Sequence, residues 1–290
     1  MYALSLRRRI FLLPCKVVAN LLVVLSILGA EAALAGPGRP PFVVFDGLLY
    51  LGKPDTRAAG LVPIGGTGDL WRPGFSNETV DEARVRSEFE RFRNSSGYYY
   101  LDIENWPLQS VSVGTRQQNI EKLTRVIDLA RRTAPNMHLG FYGLLPGITY
   151  WPLLRHDGDY QDWLQVNREL DPIASHVDVV FPSLYTFYDD LEGWKSYARQ
   201  TLKEARRYGK PVYAFIWPQF HDGNPELRGQ DVPPAFWRAE LDLCAELADG
   251  VVLWGGWRAH WDESAPWWHE TLAFMKTLKD ANRATGHAVP

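Results

Sequence analysis

The chain has 290 residues, a formal net charge of −3 and two cysteines. This length is enough for one large domain with a substantial core, and two cysteines exclude a disulfide-rich scaffold. No run of basic residues occurs beyond residue 35, so the charge pattern does not indicate a nucleic-acid-binding protein.

The first 35 residues have the pattern of an export signal. Basic residues at 7–9 precede an apolar run at 17–30, and the small residues at 33–35 offer a cleavage site. The apolar run is short for a membrane span. We therefore predict a signal peptide at residues 1–35, no stable membrane span after its cleavage, and a secreted or periplasmic protein. A twin-arginine signal and an uncleaved anchor are the alternatives.

Residues 36–290 are predicted to form a single domain. Removing the signal takes away four bases and one acid and leaves a formal charge of about −6. Cys244 then stands alone in the sequence, so no intramolecular disulfide can form. Its helical surroundings predict a buried apolar role. Nothing in the sequence indicates an oligomeric state.

Short β-branched and aromatic segments alternate with helical stretches. The predicted strands are residues 42–46, 61–64, 97–103, 137–142, 177–184, 211–217 and 250–254, and the predicted helices are residues 80–93, 116–133, 191–208, 234–247 and 267–282. This alternation predicts an α/β protein whose parallel strands close into a TIM-like (β/α) barrel, with about seven strands. No Gly-rich dinucleotide or phosphate loop supports an open doubly wound sheet.

Two carboxylates stand at the end of the third predicted strand. Asp102 and Glu104 are one residue apart, so both side chains of an extended chain point to the same side. Because like charges repel, one of the two carboxyl groups is predicted to have a raised pKa, in the range of a general acid. Such a pair at the carboxyl end of a barrel strand is typical of enzymes that cleave glycosidic bonds. A solvated strand end or a helix cap is the alternative.

Aromatic residues stand at or near the ends of the other predicted strands, among them Tyr142 and Tyr185. In a barrel these ends meet at one mouth, where active sites lie, and rings of Trp and Tyr can stack on the C–H faces of sugars. The candidate sugar-binding residues are Trp254, Trp217, Trp106, Tyr213, Asp46 and Trp257. For Asp46 a capping role, and for the tryptophans a place in the core, are the alternatives. A core position is expected for Trp267 and Trp268.

Five segments resemble, in the same order, segments of the hyaluronidases of animals and venoms. Asp102, Glu104 and Trp106 match that family's acidic motif, Asp-x-Glu-x-Trp after an apolar strand. The other four segments are residues 140–146, 181–185, 211–217 and 248–255. The resemblance covers residues 97–255 and implies a distorted barrel of about seven strands.

The resemblance also implies roles for single residues. Glu104 would be the general acid that protonates the leaving oxygen, and Asp102 would position the N-acetyl carbonyl of the substrate, which acts as the nucleophile. Tyr142 and Tyr185 would hydrogen-bond the acetamido group and the developing charge, and Trp254 would form a wall of its pocket.

No metal and no cofactor are predicted, since His138, His156, His221 and His260 lack the paired spacing of a zinc site. The chain also departs from the family, whose disulfides cannot form here. Hyaluronan is a polyanion and would favour a basic groove, whereas the charge of residues 36–290 is about −6. The resemblance therefore supports the catalytic residues better than it supports the substrate.

Three hypotheses follow. The first is a secreted, retaining glycosidase that acts on glycans containing N-acetylhexosamine, so that an oligosaccharide or polysaccharide is its partner. The second is a barrel glycosidase with a conventional carboxylate nucleophile, such as Asp46 or Asp222, and a neutral polysaccharide substrate. The third is a barrel that binds carbohydrate without cleaving it.

Overall fold

The structure is a computed structural model that describes residues 40–67, 79–257 and 259–284. The predicted signal at residues 1–35 lies outside them. The strands are β1 (Val43–Leu48), β2 (Val62–Pro63), β3 (Gly65–Gly66), β4 (Gly97–Leu101), β5 (Met137–Phe141), β6 (Tyr213–Ile216) and β7 (Gly250–Gly255). The helices are α1 (Glu82–Glu90), α2 (Val113–Thr133), α3 (Trp151–Arg155), α4 (Gly158–Glu169), α5 (Asp171–His176), α6 (Leu191–Arg207), α7 (Pro234–Leu247) and α8 (Pro266–Ala284). A 3-10 turn covers Thr56–Ala59. None of these helices is long and apolar enough to cross a membrane.

The strands run parallel in two sheets that together form a ring. One sheet has the order β2-β1-β7-β6 and the other the order β3-β4-β5. Tyr142 bridges to Phe181, and Ser183 bridges to Phe215, so residues 180–183 join β5 to β6. On the other side β2 and β3 are separated by Ile64 alone. The predicted α/β class and the distorted TIM-like barrel are confirmed.

The predicted strand at residues 177–184 is wrong as a regular strand. It forms isolated bridges to its neighbours instead, and Pro182 within it has no N–H to donate to a ladder. The five predicted helices are present with small shifts at their ends, but α3, α4 and α5 were not predicted. Of these, α3 and α5 have only five and six residues, and Pro152, Gly158 and Pro172 stand near the starts of the three helices, where such residues interrupt a helical pattern.

Within the described residues, the apolar side chains form two clusters. Phe45, Tyr100 and Phe215 belong to the smaller cluster, which fills the ring of strands. The larger cluster lies between the strands and the surrounding helices. It contains Trp267 and Trp268, as predicted, and Cys244, which is fully buried. Every strand therefore alternates between inward-facing and outward-facing residues, which decides which side chains reach the mouth.

Candidate active site

The alternation of β4 brings the two carboxylates to the interior side of the barrel. Tyr98 and Tyr100 contact the inner cluster, whereas Tyr99 and Leu101 lie in the outer one. The strand ends at Leu101, yet the same alternation continues, because Ile103 is again in the outer cluster. Positions 102 and 104 therefore face the mouth.

Asp102 lies in a largely desolvated position. Its backbone N–H donates to Thr67 Oγ1 over 3.0 Å, and no described group hydrogen-bonds its buried Oδ1. Burial raises the pKa of Asp102 from 3.8 to about 7, and the negative charge of Glu104 adds to the rise. One carboxyl of the pair thus has the predicted raised pKa, although burial contributes more than repulsion. Glu104 itself is exposed.

Two tyrosines and a serine face this pair. The Tyr142 hydroxyl donates to Ser183 Oγ over 3.3 Å, and the ring centroids of Tyr142 and Tyr185 are 5.7 Å apart. Burial raises the pKa of both tyrosines well above the usual value, and the charge of Asp102 raises each further. Both phenols are therefore protonated hydrogen-bond donors at neutral pH.

An aromatic wall continues from Tyr185 around the mouth. The ring centroids of Trp217 and Trp254 each lie 5.6 Å from that of Tyr185, and the two indoles meet edge to face at 5.0 Å. Trp257 follows at the rim with 67% of its surface exposed. The structure therefore places these three predicted sugar-binding tryptophans side by side at the mouth.

His221 is a site residue that the sequence reasoning missed. Its ring stacks on Tyr185 at 5.8 Å and contacts Trp217 at 6.0 Å. The N–H of Gly223 donates to Nδ1 over 2.9 Å, which in the neutral ring leaves the proton on Nε2. Burial lowers the pKa of His221, an effect that the negative charges of Asp222 and Glu104 oppose. The sequence alone suggests for His221 only a metal-ligand role, which its spacing does not support.

In the described part of the chain, no group of three or more His, Cys, Asp or Glu side chains is arranged to hold a metal ion. Other missed residues act through hydrogen bonds. Thr67, Ser183 and Gln219 hold Asp102, Tyr142 and Trp217 in place, respectively. All three stand outside the regular helices and strands, and only Ser183 lies in a segment, residues 181–185, that the family resemblance marks in the sequence.

Asp46 points away from the interior of the barrel, which corrects its prediction as a substrate-binding residue. The preceding residue, Phe45, lies in the inner cluster, so Asp46 points outward. There it forms an ion pair with Lys53 and accepts a hydrogen bond from Thr56. It also accepts the backbone N–H of Leu48 over 3.1 Å. Asp46 therefore stabilises the segment after β1.

Tyr213 and Trp106 also lie away from the predicted binding site. Tyr213 starts β6 and its hydroxyl lies 3.4 Å from that of Tyr98, near the amino ends of both strands. Tyr213 and Trp217 are four residues apart, so they are separated by roughly 13 Å along the strand direction, at ~3.3 Å per residue. Trp106 is 1% exposed and belongs to the outer cluster, with Lys122 of α2 5.6 Å from its ring centroid. Trp106 is therefore a core residue that anchors the loop after Glu104.

No protein-family model matches the sequence, and a search of curated proteins found no similar sequence. The fold is similar to that of bee venom hyaluronidase. One crystal structure of that protein matches with a TM-score of 0.57 at 15% identity, over 83% of this chain and 98% of the bee chain. A second, in complex with a hyaluronic acid tetramer, matches with a TM-score of 0.58 at 14% identity, over 86% and 99% of the two chains. At this identity the likeness establishes the barrel fold.

Proposed function

We propose that the protein is a glycoside hydrolase that cleaves glycans containing N-acetylhexosamine with retention, using the substrate's acetamido group as nucleophile. The observation that carries the proposal is the buried Oδ1 of Asp102, which has no hydrogen-bond partner among the described residues and lies beside the exposed Glu104. A buried polar atom without a hydrogen-bond partner requires an explanation, and an acetamide N–H of the substrate would donate the missing hydrogen bond. The barrel of bee venom hyaluronidase, crystallised with a hyaluronic acid tetramer, supports a carbohydrate ligand.

In the first step, Glu104 donates its proton to the glycosidic oxygen as the bond to the anomeric carbon breaks. The acetamido carbonyl oxygen bonds to that carbon from the opposite face, giving a positively charged oxazolinium ring. Asp102 accepts a hydrogen bond from the N–H of the acetamido group, and its carboxylate stabilises the positive charge of the oxazolinium ring. Water then attacks the anomeric carbon, gives a proton to Glu104 and restores the acetamide.

The tyrosines and Trp254 hold the reacting group in place. Since Tyr142 and Tyr185 are protonated, they can donate hydrogen bonds to acetamido and ring oxygens. Trp254 presents an indole beside Tyr185, which suits the C–H face of a sugar or an acetamido methyl group. We further propose, from the predicted signal at residues 1–35, that the protein acts outside the cytoplasm.

A conventional carboxylate nucleophile has less support. Asp46, one candidate for it, points away from the mouth and is engaged by Lys53. Asp222 is exposed beside His221 and is the other candidate. A retaining mechanism that uses it would require its carboxyl about 5 Å from Glu104.

Replacement of the acid tests the proposal. We expect Glu104→Gln to lower kcat/KM on N-acetylated oligosaccharides about 10²- to 10⁴-fold, since general acid catalysis contributes that much. Glu121→Gln, an exposed change on α2, is the matched control and should have no effect. Unchanged hydrolysis in Glu104→Gln would exclude Glu104 as the acid. A wild-type protein that binds these sugars and never cleaves them would instead be a carbohydrate-binding barrel.

A further inference from the structure

A cavity of about 490 Å³ opens at the mouth on the side of β6, β7 and β1. Four tryptophans line it, Trp217, Trp254, Trp257 and the largely buried Trp267, and so do three acids, Asp222, Asp231 and Asp262. We call it the tryptophan cavity. Its volume is within the usual range for small-ligand sites. The catalytic mechanism above uses only Trp254 of this set.

Two glycines after Trp254 allow the walls to form. Gly255 and Gly256 have φ angles of +143° and +79°, which favour glycine. A Cβ at Gly255 would lie 2.7 Å from the Trp217 ring, and one at Gly256 would lie 2.3 Å from the ring of Tyr50. Both rings therefore pack directly against the backbone, so this side of the cavity is built by close contact.

Gln219 fixes the polar side of the cavity. Its Oε1 accepts from Trp217 Nε1 over 2.7 Å and from the Tyr50 hydroxyl over 3.1 Å, and its Nε2 donates to Asp231 Oδ1 over 2.7 Å. Burial raises the pKa of Tyr50 to about 12, so this phenol stays a donor. One amide thus positions an indole, a phenol and a carboxylate around the same space.

The described lining of the cavity is acidic. Besides the three aspartates it contains His260 and neither Lys nor Arg, Arg258 being outside the described residues. Hydrogen bonds from Ser264 keep the pKa of Asp262 below its usual range, so this carboxylate is ionised at neutral pH. A concave surface of one charge sign attracts a ligand of the opposite sign.

The cavity shares a wall with the candidate catalytic residues. Trp217 and Trp254 both contact Tyr185, which packs on Tyr142. Asp222 follows His221, whose pKa is influenced by the charge of Glu104. A glycan whose N-acetylated residue lies against Asp102 can therefore place a neighbouring ring in the tryptophan cavity.

We propose that the tryptophan cavity binds a protonated amino sugar, a hexosamine residue without its N-acetyl group, next to the N-acetylated residue that is cleaved. This inference rests on the proposed function and names its substrate class, a partially de-N-acetylated glycan. Indole faces stack on sugar C–H groups and attract an ammonium group by cation–π interaction, and the aspartates supply the counter-charge. A uronic acid in the same place would be repelled.

Three oligosaccharides of equal length test this inference. They share the cleavable N-acetylhexosamine residue, and the neighbouring ring carries a free amine, an N-acetyl group or a carboxylate. We expect kcat/KM to be highest for the amine and lowest for the carboxylate, with the difference shrinking as salt is added. Equal values, or a preference for the carboxylate, would overturn the inference.

A variant of a cavity residue tests whether the cavity causes the preference for the amine substrate. The measured quantity is kcat/KM for the amine substrate divided by kcat/KM for the N-acetyl substrate. We expect Asp222→Asn to lower this ratio about fivefold, because the variant lacks one exposed counter-charge. Asp280→Asn, an exposed acid on α8, should leave the ratio unchanged. An unchanged ratio in Asp222→Asn would contradict the role of the cavity acids.

Binding separates this inference from the proposed function. Tryptophan fluorescence titrations of the Glu104→Gln variant with the same three compounds need no hydrolysis. If the wild type cleaves none of them while the amine compound still binds most tightly, the proposed function fails and the subsite stands. If cleavage occurs and binding shows no preference for the amine, the subsite fails and the proposed function stands.

Discussion

Asp102 and Glu104, separated by one residue, have different surroundings. Asp102 is largely desolvated and its pKa is raised to about 7, whereas Glu104 is exposed at the mouth. The exposed acid can reach a glycosidic oxygen, and the buried one can hold a group that enters the barrel. The difference in exposure supports the assignment of Glu104 as proton donor and Asp102 as the partner of the acetamide.

The raised pKa of Asp102 has a consequence for stability. Between pH 3.8 and about 7 the folded protein holds a proton that the unfolded chain has lost, so the free energy of unfolding falls as pH rises. We expect Asp102→Asn, which is always neutral, to be more stable than the wild type at pH 8 by up to about 4 kcal/mol. Urea unfolding at pH 8 and pH 4 measures this, and the gain should vanish at pH 4. A variant equally stable or less stable at pH 8 would contradict the raised pKa.

Asp46 provides a contrasting residue. Because its carboxylate holds Lys53, Thr56 and the N–H of Leu48 on the outer side of β1, we expect Asp46→Ala to cost about 2 kcal/mol of stability. Hydrolysis by the folded variant should be unaffected. Thermal unfolding and kcat/KM measured on the same preparation check both statements. Lost activity with full stability would return Asp46 to the active site.

Sequence reasoning predicted some of these residues and misplaced others for a physical reason. Strand alternation indicates the face on which a side chain lies, and Tyr213 and Trp217 share the inward face of β6. Alternation does not by itself indicate whether a side chain lies near the amino or the carboxyl end of the barrel. Tyr213 lies near the amino end. For Asp46 the neighbouring Phe45 fills the interior, which turns the carboxylate outward.

At the scale of elements, the loop that carries Glu104 is held by α2. Asn119 Nδ2 donates to the carbonyl of Pro107 over 2.9 Å, and Arg116 Nε donates to that of Leu108 over 2.8 Å. Both side chains are buried at the start of the helix. Trp106 packs beneath the loop. The backbone that carries Glu104 is therefore held rigidly in position.

The glycine pair Gly255 and Gly256, at the end of β7, allows a prediction at this scale. Gly256 has a φ of +79° and a Cβ there would meet the ring of Tyr50, whereas Gly209 has a φ of +67° with open space around it. We expect Gly209→Ala to cost about 1–2 kcal/mol from backbone strain, and Gly256→Ala to cost about 1–3 kcal/mol more. Chemical denaturation of both variants measures the difference. Equal losses would show that Tyr50 does not pack on this backbone.

Long amphipathic helices were predictable because their apolar period is sustained over many residues, as in α2. The segment between β5 and α6 was not. It folds into three helices that have Pro or Gly at their starts and then into bridges around Pro182. These pieces are stabilised by tertiary packing of residues such as Trp163 and Phe181, and local pattern carries little information about that.

For the whole molecule, the ring of parallel strands brings segments distant in sequence to one mouth. Asp102 after β4, Tyr142 after β5, Tyr185 before α6 and Trp254 in β7 meet there although they span about half of the chain. The predicted barrel is confirmed, and its fold is shared with bee venom hyaluronidase. The net charge of about −6 for residues 36–290 does not show where the charges lie. In the structure, the described lining of the tryptophan cavity is also acidic.

The central claim is that the substrate supplies its own nucleophile. A series of otherwise identical substrates tests it, in which the cleaved residue carries an N-acetyl, N-fluoroacetyl, N-difluoroacetyl or N-trifluoroacetyl group. Each fluorine makes the carbonyl oxygen a poorer nucleophile, so we expect kcat/KM to fall steeply along the series and the free amine to be almost inert. Rates that stay equal along the series would contradict the claim and require a carboxylate of the protein as nucleophile.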